Sequence, residues 1–77
     1  MKEDIKAILI ENVEDLENCE IDDSLQLIAG GYIDSFDIIN LISEFEQKFD
    51  VTIPIDEIEL SQFDTVNTIE ALISSLK

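Results

Sequence analysis

The chain has 77 residues, room for one domain, and its 45% hydrophobic share must build an aliphatic core, since there is no Trp, one Tyr and four Phe. Nineteen acidic residues face four lysines, with no Arg and no His, for a net charge of -15; nucleic acid and anionic membranes demand a cationic footprint and are disfavoured as partners, whereas basic protein surfaces are favoured, as is a monomer. No apolar run approaches the roughly 18 residues of a membrane span, and the single cysteine, Cys19, permits no internal disulfide and fits a reducing compartment.

The first segment, MKEDIKAILIENVEDL, places Ile5, Ile8, Leu9, Val13 and Leu16 at helical spacing between charged residues. This predicts an amphipathic helix from about Lys2 to Leu16. Acids in its first residues and the lack of a small-residue cleavage site distinguish it from a secretory signal, so the cytoplasm is the expected location.

From Glu17 to Asp34 the periodicity weakens. The stretch CEIDDSLQLIAGGYID carries an Asp-Asp-Ser turn signal and a Gly-Gly pair. A connection of this length in a small domain is usually ordered by its own side chains and often functional. Leu25, Leu27 and Ile28 are expected to pin it to the core, with room for one helical turn around Ser24–Ile28. Cys19 reads as a structural or loop cysteine. Glu17 and Glu20 beside it in sequence would raise a thiol pKa rather than activate it.

The second helix is predicted from Ser35 to Phe49 or Asp50. At about 100° per residue, Ile38, Leu41, Ile42, Phe45 and Phe49 form its core stripe. Phe36 and Ile39 point almost the opposite way, beside Asn40 and Ser43. Two large apolar residues are thus expected on the solvent face next to Ser35, an arrangement suited to a docking surface. DVTIP then reads as an extended connector, and Pro54 suits the start of a short helix over Ile55–Leu60. In QFDTVNTIEALISSLK, Asp64 or Thr65 can cap a last helix whose core stripe is Val66, Ile69, Leu72, Ile73 and Leu76. Lys77 closes it with a charge that suits the helix dipole. The expected fold is all-α: a small four-helix bundle of three main helices and one short one, with a long first loop, forming a single domain over residues 1–77.

Most autonomous chemistry is excluded. Without His there is no Ser-His-Asp triad and no His-containing zinc site, and one Cys rules out a Cys-rich one. No phosphate loop and no EF-hand order of acids is present. The chain is too small for a closed pocket that would tune its many carboxylates. Ser35 alone could be no more than a helix cap. Nothing near it in sequence would activate it as a nucleophile, so a base would have to come from another enzyme.

Several parts nevertheless fall in a specific order: Asp23-Ser24-Leu25 in the first loop, then Gly31-Tyr32-Ile33-Asp34-Ser35-Phe36, then a helix ending Glu46-Gln47-Lys48-Phe49-Asp50-Val51-Thr52-Ile53-Pro54, then Phe63-Asp64-Thr65-Val66. This ordered set resembles an acyl carrier protein over nearly the whole chain. The resemblance implies that Ser35 is esterified with 4'-phosphopantetheine from coenzyme A by a separate, magnesium-dependent phosphopantetheinyl transferase. The arm's thiol would then carry an acyl group as a thioester. The backbone N–H groups and dipole at the start of the second helix are expected to tolerate the phosphodiester. The resemblance also implies docking roles for Phe36 and Ile39, and a role for Asp34 in transferase recognition, with an N-cap as the other reading. Asp37, Asn40, Ser43 and Glu44 complete the expected docking face, the acids among them adding attraction to basic partners. The chain itself would not be an enzyme, and no metal site is expected. Its expected partners are an acyl- or aminoacyl-activating ligase and acyltransferases or synthases with basic docking surfaces.

The chain departs from the commonest fatty-acid pattern. Phe36 replaces the usual Leu after the serine, Ile38, Ile39, Asn40 and Ser43 dilute the acids of the second helix, and Lys48 adds a positive charge. These features also resemble the D-alanyl and the peptidyl or aminoacyl carrier branches. A discrete carrier with open cargo is expected, serving fatty acid biosynthesis or secondary metabolism. A different class, an unmodified acidic interaction module, would need only the charge, the helices and the Phe36/Ile39 pair. A small acidic metal buffer has no ligand spacing to support it.

Overall fold

The computed structural model describes residues 1–16, 20–54 and 56–77. Three α-helices run in chain order: α1 (Lys2–Asn12), α2 (Ser35–Phe49) and α3 (Val66–Leu76). Two 3₁₀ turns, Glu14–Leu16 and Leu60–Phe63, lie in the connections, and no strand occurs among the described residues. The expected all-α bundle of three main helices stands. Cys19, Glu17 and Ile55 lie outside the described residues.

α1 is shorter than its periodicity suggests. Val13 adopts an extended conformation (φ -122°, ψ 107°) and ends the helix. The Asn12 side-chain amide turns back to donate to the Ile8 carbonyl at 2.8 Å, in the last turn of the helix. The following 3₁₀ turn, closed by Leu16 N–H to Val13 O at 3.0 Å, still delivers Val13 and Leu16 to the core. The apolar spacing is therefore honoured by burial, although one continuous helix is not what achieves it.

α2 matches its predicted bounds. Ile38, Leu41, Ile42 and Phe45 are buried, and Phe49 is half-buried. The helix ends at Asp50, whose φ of 53° is left-handed. Glu46 then serves the connector twice: its carbonyl accepts from Val51 N–H at 3.3 Å and its carboxylate from Ile53 N–H at 2.9 Å. This folds the extended 51–54 segment back so that Ile53 is buried.

The short helix expected over residues 55–60 is displaced. Asp56 and Glu57 form a turn, and the helical turn comes later, at Leu60–Phe63. Phe63 explains the shift: it is fully buried and among the largest core side chains, so the chain coils where that ring must turn inward. α3 is capped by Thr65, whose hydroxyl accepts from Thr68 N–H at 3.1 Å. Asp64, the other expected cap, is engaged elsewhere.

α1 packs against both α2 and α3. Phe45 and Phe63 are fully buried, with Ile5, Leu9, Leu16, Leu27, Leu41, Val66, Ile69 and Ile73. No polar or charged residue is among the described buried ones. The core is thus held by apolar burial, worth about 25 cal/mol per Å² removed from water. Lys77 lies 5.5 Å from the centre of the Phe49 ring, a cation–π contact that fastens the end of α3 to α2.

Candidate functional site

The long first connection is tied down at both ends. Asp22 accepts from Ser24 N–H at 2.8 Å, closing a local turn. Asp23 pairs with Lys6 at 3.0 Å and Lys2 at 3.4 Å on α1. Its carbonyl accepts from Asn67 N–H on α3 at 3.1 Å. The hydrogen bond from Lys6, aided by Lys2, holds the Asp23 carboxyl below the usual carboxylate range against the opposing effect of burial. Leu27 is buried, while Leu25 and Ile28 pack half-buried against the core. No helical turn forms at 24–28; the chain turns instead over 27–31. Gly31 takes φ 81°, a left-handed conformation that suits glycine. A Cβ on Gly30 would run into the Gln26 carbonyl, so that position also requires glycine.

This turn delivers the chain to α2 through buried Ile33. Asp34 is the N-cap: its Oδ1 accepts from the N–H groups of Phe36 and Asp37, both at 3.0 Å. Asp37 reciprocates, accepting from Asp34 N–H at 3.3 Å. The result is a capping box with aspartate in both places. Ser35 is the first helical residue and is exposed. One expectation changes here. The N–H groups at the helix start are expected to tolerate a phosphodiester, and two of them, those of Phe36 and Asp37, already donate to Asp34. A group on Ser35 is therefore favoured by the helix dipole but does not have these two donors to itself.

The exposed apolar pair is where the helical periodicity puts it. Phe36 is 78% exposed and Ile39 56%. Asn40, Ser43 and Glu44 are exposed as well, and Asp37 is half-buried. Three of these residues, Ile39, Asp37 and Glu44, line separate clefts. Ser35 and Ile39 line an apolar cleft of about 230 Å³ with Ile38, Ile42, Ile58 and Leu60. Asp37 faces a polar cleft with Tyr32, Asn12, Val13, Glu14 and Asp15. Glu44 lines a third groove, between α1 and α2, with Asp4, Glu11 and Lys48.

Ile58 and Leu60 escaped the sequence reading, which placed them on a short helix. Leu60 is 57% exposed, comparable with Ile39. Phe36, Ile39 and Leu60 are three of the large hydrophobic residues that the fold leaves exposed. Two of them line the cleft that holds Ser35.

Residues 3–74 match the family model described as "Phosphopantetheine attachment site". The D-alanyl carrier protein of Streptococcus sanguinis is 33% identical over 76 residues, covering 96% of each chain. That of Streptococcus gordonii is 30% identical over 76 residues, with the same coverage. Among solved structures, the holo acyl carrier protein of Nitrosomonas europaea superposes with a TM-score of 0.81 at 24% identity, covering 96% of this chain and 92% of the other. A chain in the crystal structure of Bradyrhizobium japonicum glycine:[carrier protein] ligase complexed with glycylated carrier protein gives a TM-score of 0.73 at 28% identity, covering 92% and 95%.

Proposed function

This chain belongs to the phosphopantetheine attachment family, and from that premise we propose that Ser35 is the attachment residue of a discrete carrier whose cargo is an aminoacyl group. The family is the site of covalent 4'-phosphopantetheine attachment, and the chain is a phosphopantetheine carrier. The observation that carries the choice of Ser35 is its exposed place at the first residue of α2, beside the apolar cleft and inside the Asp34-Ser35-Phe36 order.

The chain's own contribution to attachment is to present a hydroxyl. Ser35 Oγ attacks the phosphorus of coenzyme A that bears the pantetheine. The pyrophosphate bond breaks and the nucleotide leaves. The proton goes to a base of the transferase, since the chain has no histidine to take it. Once attached, the arm supplies a thiol that holds cargo as a thioester. Everything else in the cycle belongs to partners, so the chain acts as a substrate-bearing partner rather than a catalyst. We place it in the cytoplasm as a single carrier domain over 1–77.

Docking is assigned to Phe36, Ile39 and Leu60 as the apolar contacts around Ser35, with Asp34, Asn40 and Ser43 beside them. Asp37 and Glu44 would act at longer range, as attraction to basic surfaces. The aminoacyl cargo is supported by the D-alanyl carrier relatives and by the likeness to a carrier glycylated by its ligase. A fatty acyl cargo is the second reading, favoured by the apolar lining of the cleft.

The holo chain should be offered, with ATP, to an amino-acid-activating carrier ligase and separately to a fatty-acid-activating one. A hydroxylamine-labile gain of one aminoacyl group, reduced by Phe36→Glu, is expected. Loading by the fatty-acid enzyme alone would overturn the cargo assignment.

A further inference from the structure

Asp64 stands immediately before Thr65, the N-cap of α3, yet its side chain serves a different part of the chain. Its Oδ1 accepts from Ile28 N–H at 3.0 Å and from Ala29 N–H at 3.2 Å, partners 36 and 35 positions away. Its carbonyl accepts from Leu27 N–H at 2.6 Å. Three successive amides of the first connection therefore end on one residue. The bonds continue toward α2. The Leu27 carbonyl accepts from Tyr32 N–H at 2.8 Å and Ile33 N–H at 3.0 Å, and the turn between them is closed by Gly30 N–H to Gln26 O at 2.9 Å. Ile33 directly precedes the Asp34 cap and Ser35.

α2 is fixed by its own core face, but the turn leading into it is not. That turn contains two glycines, and Leu27 and Ile33 are its buried side chains. Without the Asp64 carboxylate, the amides of Ile28 and Ala29 would return to water, and only the Leu27 N–H to the Asp64 carbonyl would still join the turn to that residue. We propose that Asp64 is a positioning residue for the modification of Ser35: it holds the 27–33 turn in the arrangement that a transferase meets together with the serine. The proposal rests on the reading of Ser35 as the attachment residue. It acts through population: if only a fraction of free chains has the turn in place, the apparent affinity for the transferase falls by that fraction while the bound complex reacts at its usual rate.

The test measures transferase kinetics on wild type, Asp64→Ala, Asp64→Asn and Ser35→Ala, with hydrogen exchange on the wild type. Asp64→Ala is expected to raise KM about fivefold or more with kcat within about twofold. Asp64→Asn keeps an acceptor oxygen in place and is expected to restore KM to within about twofold of wild type. An unchanged KM in a folded Asp64→Ala chain, or an asparagine variant as poor as the alanine one, would overturn the role of Asp64 while leaving Ser35 untouched. If Asp64→Ala does not fold, the wild-type exchange decides. Amides 27–29, 32 and 33 opening as one unit supports the proposal; free exchange at 28 and 29 beside protected 32 and 33 defeats it. A wild type that is modified no more than Ser35→Ala removes the Ser35 reading, and this one with it.

Discussion

Asp34→Ala removes a carboxylate oxygen that accepts from two backbone amides at 3.0 Å, those of Phe36 and Asp37. Replacing an N-cap by alanine costs about 0.5–2 kcal/mol, and the lost negative charge at a helix N-terminus adds about 0.3–1 kcal/mol. The loss of one charge from a chain at -15 acts the other way by relieving repulsion. Asp34→Asn cancels that uncertainty. It loses the same charge but keeps a side-chain oxygen in the cap, and asparagine caps about as well as aspartate. The expected outcome is a cost of about 1–2 kcal/mol for alanine and under about 0.5 kcal/mol for asparagine. In a domain of this size that is a drop in Tm of about 4–16 °C against a few degrees at most. Thermal and urea unfolding of the unmodified chain, followed by circular dichroism at one ionic strength, would read both. Asparagine as costly as alanine, or alanine without cost, would refute the capping role. The same pair separates the cap from recognition: a lower modification rate in Asp34→Asn at unchanged stability belongs to a transferase that reads the charge.

Phe63→Ala empties the centre of the core and should cost about 3–5 kcal/mol, a large part of the roughly 4–12 kcal/mol expected for a chain of this length; urea unfolding should show a lower midpoint or no native baseline. Asp50→Gly relieves a left-handed residue at φ 53° and removes a negative charge from the C-terminus of α2. It should stabilise by about 0.5–1 kcal/mol, read as a higher Tm. Asp23 is held below its ordinary carboxylate value of 3.8 by Lys6 and Lys2. A lowered folded-state value stabilises above the unfolded value and ceases to do so as pH falls through the folded one. The Tm gap between wild type and Asp23→Asn should therefore be present at neutral pH and close as pH falls below 3.8; a gap that widens in acid would contradict the ion-pair assignment.

Periodicity carried α2 well because that helix obeys one local rule: Ile38, Leu41, Ile42 and Phe45 recur on a single face, and Phe36 and Ile39 fall opposite. It carried α1 less well. Val13 and Leu16 meet the core from an extended residue and a 3₁₀ turn, which mimic helical spacing without being one helix. The short helix was misplaced because burial of Phe63, a tertiary demand, outweighed the local suitability of Pro54 for a helix start. Ser35, which the structure exposes at the first residue of α2, was singled out by its ordered flanking residues. Asp64 and Leu60 were not, since each acts on a segment more than a helix away in sequence, and no local pattern records a hydrogen bond spanning 36 positions.

The most direct measurement is intact mass with site mapping after incubating the unmodified chain with coenzyme A, magnesium and a broad-specificity phosphopantetheinyl transferase. Lysines at 6 and 48 bound a tryptic peptide that holds Ser24, Ser35 and Ser43 together, so fragmentation must assign the residue. One phosphopantetheine on Ser35, absent from Ser35→Ala, is the expected result. No gain on a folded wild type, or a gain that persists in Ser35→Ala, would contradict Ser35 as the carrier's attachment point.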